Sequence, residues 1–131
     1  MVDYDALIRR ISDADPTVGT ALMEALWTRA KWWRNPLTSL DDAVYLVNRI
    51  LPGWLWRVAS CHVSDDAFVS PDYNCPIHGE RLQREFPMPG GKEWSDITDV
   101  DLRPPGRPAA ALVISLLIAL KTIAVERGEA A

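Results

Sequence analysis

The stretch PAAALVISLLIALKTIAVE, Pro108 to Glu126, decides how the rest of the chain has to be arranged. From Ala109 to Leu120 every residue except Ser115 is apolar, and Pro108 stands at a first helical position, where its missing N–H costs nothing. A helix covered only by a sheet keeps one polar face, so a helix that is apolar nearly all round is expected to be covered on two sides. The cover comes either from the N-terminal helices or from another subunit, and the second source makes a homo-oligomer the expected assembly. The same run invites a membrane reading, but Lys121 ends it after twelve residues, and about 20 are needed to span a bilayer. A buried core helix is the better reading, and no membrane is expected as a partner.

Upstream of this helix, Arg103-Pro104-Pro105-Gly106-Arg107-Pro108 breaks whatever precedes it. Trp94 to Leu102 sets Ile97 against Thr98, Val100 and Leu102, which predicts a third strand. Between Ser70 and Glu93 lie four prolines and three glycines, so a long irregular insertion is expected there, with at most a short extended piece at Leu82 to Phe86. Trp54 to Val63 is rich in aromatic and β-branched residues and lacks a helical stripe, which predicts a strand. Trp54, Trp56 and Val58 share one of its faces, and Leu55, Arg57 and Ala59 the other. Ser64-Asp65-Asp66 then reads as a turn and Ala67-Phe68-Val69 as the returning strand of a hairpin.

The N-terminal third reads as helices. Leu7, Ile8 and Ile11 give a short amphipathic helix over Tyr4 to Ser12. Asp15-Pro16 supplies a cap acceptor and an N-terminal proline for a second helix, expected to run to about Trp33. Ser39-Leu40-Asp41-Asp42 is a cap followed by acidic residues, which suit the positive end of a third helix; Pro52-Gly53 closes it. The fold class expected is therefore α+β: a three-stranded antiparallel meander packed between helices, in a single domain over 1–131. Residues 1–35 form a helical addition to an α-β-β-β-α core over 38–127, interrupted by the insertion 70–93.

Composition narrows the setting. Of 131 residues, 48% are apolar and 24% charged, which is ordinary for a globular protein and disfavours general disorder. A net charge of −4 supplies no uniform field for nucleic acid, so general nucleic-acid binding is not expected. The acidic start Met1-Val2-Asp3-Tyr4-Asp5 lacks a secretory pattern, and two cysteines fit free thiols in a reducing cytoplasm.

Leu40-Asp41-Asp42-Ala43, then Leu51-Pro52-Gly53-Trp54 and Trp56-Arg57-Val58, then Pro105-Gly106-Arg107-Pro108-Ala109-Ala110-Ala111-Leu112, follow one another in an order that resembles the phage ABA-sandwich domain, a group of small phage and prophage proteins. The resemblance covers Thr38 to Ala124. It implies a helix, a three-stranded antiparallel meander and a closing helix, and it implies no catalytic residues. The longer connection Ser70 to Glu93 and the helices before Trp33 depart from its pattern.

Three groups of residues suggest chemistry. Arg103, Gly106 and Arg107 precede a helix whose first N–H groups are unpaired, a natural seat for phosphate or carboxylate; Trp54, Trp56 or Trp94 would stack on a base if they projected the same way. The competing reading is a plain turn with solvated arginines. Trp27, Lys31, Trp32, Trp33 and Arg34 form an aromatic and basic end to the second helix, either a partner surface or packing beneath the insertion. Cys61, His62, Cys75 and His78 include a Cys-x2-His spacing suited to zinc, but on a strand Cys61 and His62 point to opposite faces, and no metal is expected. Asp41-Asp42 and Asp65-Asp66 are explained by capping and turns.

No cofactor and no catalytic set emerges. The leading expectation is a non-enzymatic accessory binding protein that captures a small nucleotide or other anionic ligand, such as a host-defence signal. The alternatives are a protein-binding or structural phage protein, and a metal-dependent hydrolase built on His62, His78 and nearby aspartates.

Overall fold

The computed structural model describes residues 2–30, of which 27–30 by backbone alone, and 35–129. Among them are six α-helices and one antiparallel sheet: α1 (Tyr4–Ser12), α2 (Val18–Ala30), α3 (Leu40–Ile50), β1 (Trp54–Ser60), β2 (Asp65–Pro71), α4 (Gly79–Glu85), α5 (Trp94–Ile97), β3 (Val100–Leu102) and α6 (Pro108–Glu126). The strands lie in the order β1-β2-β3, an α+β meander.

The apolar helix α6 has the two covers that its sequence demands. It packs against all three strands on one side and against α1 and α3 on the other, and Leu112, Val113, Leu116 and Leu117 have no exposed surface. The N-terminal helices of the same chain are thus the second cover. Its length and apolarity would suffice to cross a membrane, yet 67% of that window is buried within the fold. Ser115, the one polar residue in the run, is fully buried and donates to the carbonyl of Thr98 at 2.8 Å, so its hydroxyl is not left unpaired. One continuous cluster of buried side chains joins α1 to α6.

Local chemistry explains the other elements. Asp3 caps α1 by accepting from Ala6 N–H at 3.0 Å, and Ser39 caps α3 by accepting from Asp42 N–H at 3.3 Å. Asp15 does not start α2 directly: its carboxylate accepts from the N–H and hydroxyl of Thr17 and from Arg10, and the helix begins at Val18. The backbone and hydroxyl of Thr17 and the Arg10 guanidinium bring Asp15 down to a pKa of about 2.

Four expectations need correction. The hairpin turn is not Ser64-Asp65-Asp66; β1 ends at Ser60, Cys61 N–H bonds Ser64 O at 3.0 Å, and both aspartates belong to β2. Leu82 to Phe86 is not extended. After Gly79, Glu80-Arg81-Leu82-Gln83-Arg84-Glu85 is a run of helix formers with an Arg81–Glu85 pair at 2.9 Å, and Gly79–Glu85 forms α4. The third strand is shorter than Trp94 to Leu102, because Trp94–Ile97 takes a helical turn that buries Trp94, leaving three residues to β3. The helical spacing of Leu40, Ala43, Val44, Val47, Ile50 and Leu51 predicts the apolar face of α3, and that face shifts: Leu46 is buried and Leu40 is 37% exposed.

The tight entry to α4 depends on one glycine. A Cβ on Gly79 would stand 2.3 Å from the carbonyl oxygen of Tyr73, well inside contact distance, so a side chain there forces the backbone apart.

Candidate functional site

Alternation along β1 and the β1–β2 register divide the sheet into two faces. Trp54, Trp56, Val58 and Ser60, with Val69, Ala67 and Asp65 of β2 and Val100 and Leu102 of β3, face α6. Leu55, Arg57 and Ala59, with Asp66, Phe68 and Ser70, and Asp101, face the other way. Each set of sequence-derived candidates can be placed on this frame.

The turn that leads into α6 already holds an anion. Asp65 is fully buried on β2, and its carboxylate accepts from the backbone N–H of Gly106 at 2.8 Å, from that of Arg107 and from the hydroxyl of Ser60. Burial opposes its ionisation, but the Ser60 hydroxyl and the N–H groups of Arg107 and Gly106 outweigh that penalty and hold the carboxyl below its ordinary value. The chemistry foreseen for a foreign phosphate or carboxylate is therefore met from within the chain. Arg107 turns away to donate to the carbonyls of Ile11 and Ser12, tying α6 to the end of α1. Arg103 pairs with Asp101 at 3.0 Å in an exposed position.

The tryptophans gather at the opposite end of the sheet. Trp54 and Trp94 are buried and meet edge to face with ring centroids 5.0 Å apart, and Phe86 stands 5.3 Å from Trp54 in the same manner. Trp94 donates from Nε1 to Phe86 O at 3.2 Å, and Tyr73 donates to that carbonyl as well. These are core contacts, and they leave no ring face for a base. Trp54 opens β1 while Asp65 faces Ser60 at its close, a separation of about 20 Å at the usual rise per residue. The arrangement expected for a nucleotide, arginines beside a stacking tryptophan, is not assembled. Trp56 alone among the three stays 40% exposed.

The thiols and imidazoles are divided in the same way. Cys61 and His62 lie in the hairpin turn, whereas His78 packs beside Gly53 at the start of β1, with Cys75 one helical turn before Gly79. His62 and His78 therefore cannot serve one metal ion, and among the described residues no three His, Cys, Asp or Glu side chains are placed to hold one. The Val63 and Ser64 N–H groups aimed at the Cys61 sulfur lower its pKa. Asp41 and Asp42 sit at the start of α3 as expected, with Asp42 accepting from Asn35 N–H at 3.2 Å. Lys31, Trp32 and Trp33, and the side chain of Trp27, lie outside the described residues.

What the sequence reading passed over is the outer face of the sheet. Leu55 is 51% exposed, Arg57, Ala59, Asp66 and Asp101 are exposed, and Phe68 is half-buried. Arg57, Ala59, Asp66, Phe68, Asp99 and Asp101 line a shallow cavity of about 320 Å³. Half of its signal was present in the grouping of Leu55, Arg57 and Ala59. The rest required the register that sets Phe68 opposite Arg57 and Asp66 opposite Asp101, which no local pattern gives.

Comparison with family models, with characterised proteins and with solved structures returned no match.

Proposed function

We propose that this chain is a non-catalytic accessory protein that works by binding, and that the outer face of its sheet receives a polypeptide segment carrying a basic side chain beside an apolar one. The observation that carries this reading is the cavity around Phe68. An aromatic ring flanked by Asp66, Asp99 and Asp101 offers an arginine or lysine both carboxylates and a π face, and Leu55 adds apolar area beside it. An anionic ligand fits this surface less well, since its lining sets three carboxylates against one arginine, Arg57, and the N–H groups of Gly106 and Arg107 before α6 are taken by Asp65. The phage or prophage setting, in the cytoplasm of a bacterial host, rests on the resemblance of the Leu51-Pro52-Gly53-Trp54 and Pro105-Gly106-Arg107-Pro108 segments.

Affinity capture from host and phage lysates, with the wild type beside the double variant Leu55→Asp, Phe68→Asp, tests this reading. A protein held by the wild type and released by the variant is expected. Identical capture by both sinks the outer-face assignment. Calorimetric titration with cyclic and linear nucleotides is expected to give no heat; measurable heat returns the anionic-ligand reading to first place.

A further inference from the structure

The two edges of the sheet differ in protection. β3 is three residues long and runs into Arg103-Pro104-Pro105, so brevity and proline blunt it. β1 is seven residues long, has no proline, and carries Arg57 as its one charge. Its backbone polarity follows from β2. Val69 N–H and C=O are both engaged by Thr98 Oγ1, at 3.0 and 2.6 Å, on the β3 side. Trp56, directly opposite Val69, therefore belongs to a pair without mutual hydrogen bonds, and its own N–H and C=O point away from β2. By the same alternation so do those of Val58 and Ser60. Among the described residues these groups have no partner, and they form a ladder beside two large exposed side chains, Leu55 and Trp56.

We propose that a second copy of this chain completes that ladder, pairing antiparallel along β1 with Val58 opposite Val58 and merging two three-stranded sheets into one of six strands. Trp56 then meets Ser60 of the second copy, and all three outward-facing residues are paired. On the outer face Arg57 comes opposite Ala59 of the second copy, whose neighbour on β2 is Asp66. At the usual strand spacing the Cα atoms of Arg57 and that Asp66 are about 10 Å apart, within reach of an extended arginine across a small residue. The symmetry makes this ion pair twice. Arg57 has no carboxylate partner within its own chain among the described residues. Sliding the register by one pair would set Arg57 against Arg57 and bring in Trp54, whose N–H is already bonded to Leu51 O, so both charge and hydrogen bonding select the first register. The pairing rests on the β1 edge and not on the partner reading, but it draws Arg57 and Asp66 from the cavity lining and leaves Asp99, Asp101 and Phe68 to a partner.

Sedimentation velocity across a concentration series, with circular dichroism to confirm folding, tests it. The wild type is expected to dimerise as concentration rises. Arg57→Asp and Asp66→Arg should each abolish the dimer, and the combined charge swap should restore it. In parallel, amide exchange at Trp56, Val58 and Ser60 should slow with concentration, while Leu55, Arg57 and Ala59, already bonded to β2, should not change. A wild type that stays monomeric at every concentration overturns the proposal, as does a dimer that survives both charge reversals.

Discussion

The sheet has one chemistry with two outcomes. Its inner face lies on α6, where Ala67, Val69, Val100 and Leu102 are buried and Asp65 is fully enclosed; its outer face holds Leu55, Arg57, Phe68 and three aspartates against solvent. Both faces mix apolar with acidic residues. What separates them is satisfaction: the buried carboxylate has three donors aimed at it, whereas among the described residues Asp99 has no partner, Asp66 has a long contact of 3.4 Å from the Ser64 hydroxyl, and Asp101 has that hydroxyl and an exposed arginine. Polar groups inside a fold hold it together only when their bonds are complete, and incomplete ones outside it are available to something else.

The strongest way to break the contrast is on the inner side. Trp94→Ala removes the ring packed against Trp54 and should cost about 3–5 kcal/mol, read by denaturant unfolding. Asp65→Ala comes next, at about 3 kcal/mol, because it strands the N–H groups of Gly106 and Arg107. This carboxyl is held below its ordinary value when folded, so its contribution is fully present above the unfolded value of about 4 and lost as pH falls through the lower folded value. Acid unfolding curves of the wild type should show that loss, and those of Asp65→Asn should be flatter in the same window. Thr98→Val is smaller. Its hydroxyl accepts from Val69 N–H and meets the carbonyls of Val69 and Trp94, and its removal at nearly constant volume should cost about 1–3 kcal/mol. Smallest of all is the outer face. Leu55→Ser with Phe68→Ser, the second only half-buried, should cost about 1–2 kcal/mol while removing partner binding; a larger drop in stability would show that this face serves the fold.

The sequence was readable where a segment's fate depended on itself. α6 was delimited at both ends by its composition, and the cap at Ser39 and the two covers of α6 followed from local rules. It failed where a distant partner decided. Asp65 looked like a turn residue because its ligands, Gly106 and Arg107, lie 41 and 42 positions away. Trp94 looked like a strand residue because the pocket formed by Trp54 and Phe86 is invisible to alternation. α4 was missed for another reason: the prolines and glycines around Gly79–Glu85 masked a short run whose own residues favour a helix. The same limit explains the site. Arginines before a helix are legible as an anion seat, but that the chain brings its own anion is not.

The placement of α6 also sets a timetable. The sheet, α1 and α3 all pack on a helix that is the last element in chain order, so during synthesis the earlier elements emerge with their shared apolar surfaces still open. The core can close only after about residue 123 has left the ribosome, so the elements before it wait on that one helix. Until then the exposed hairpin is the segment that chaperones, or a neighbouring nascent chain, will meet first.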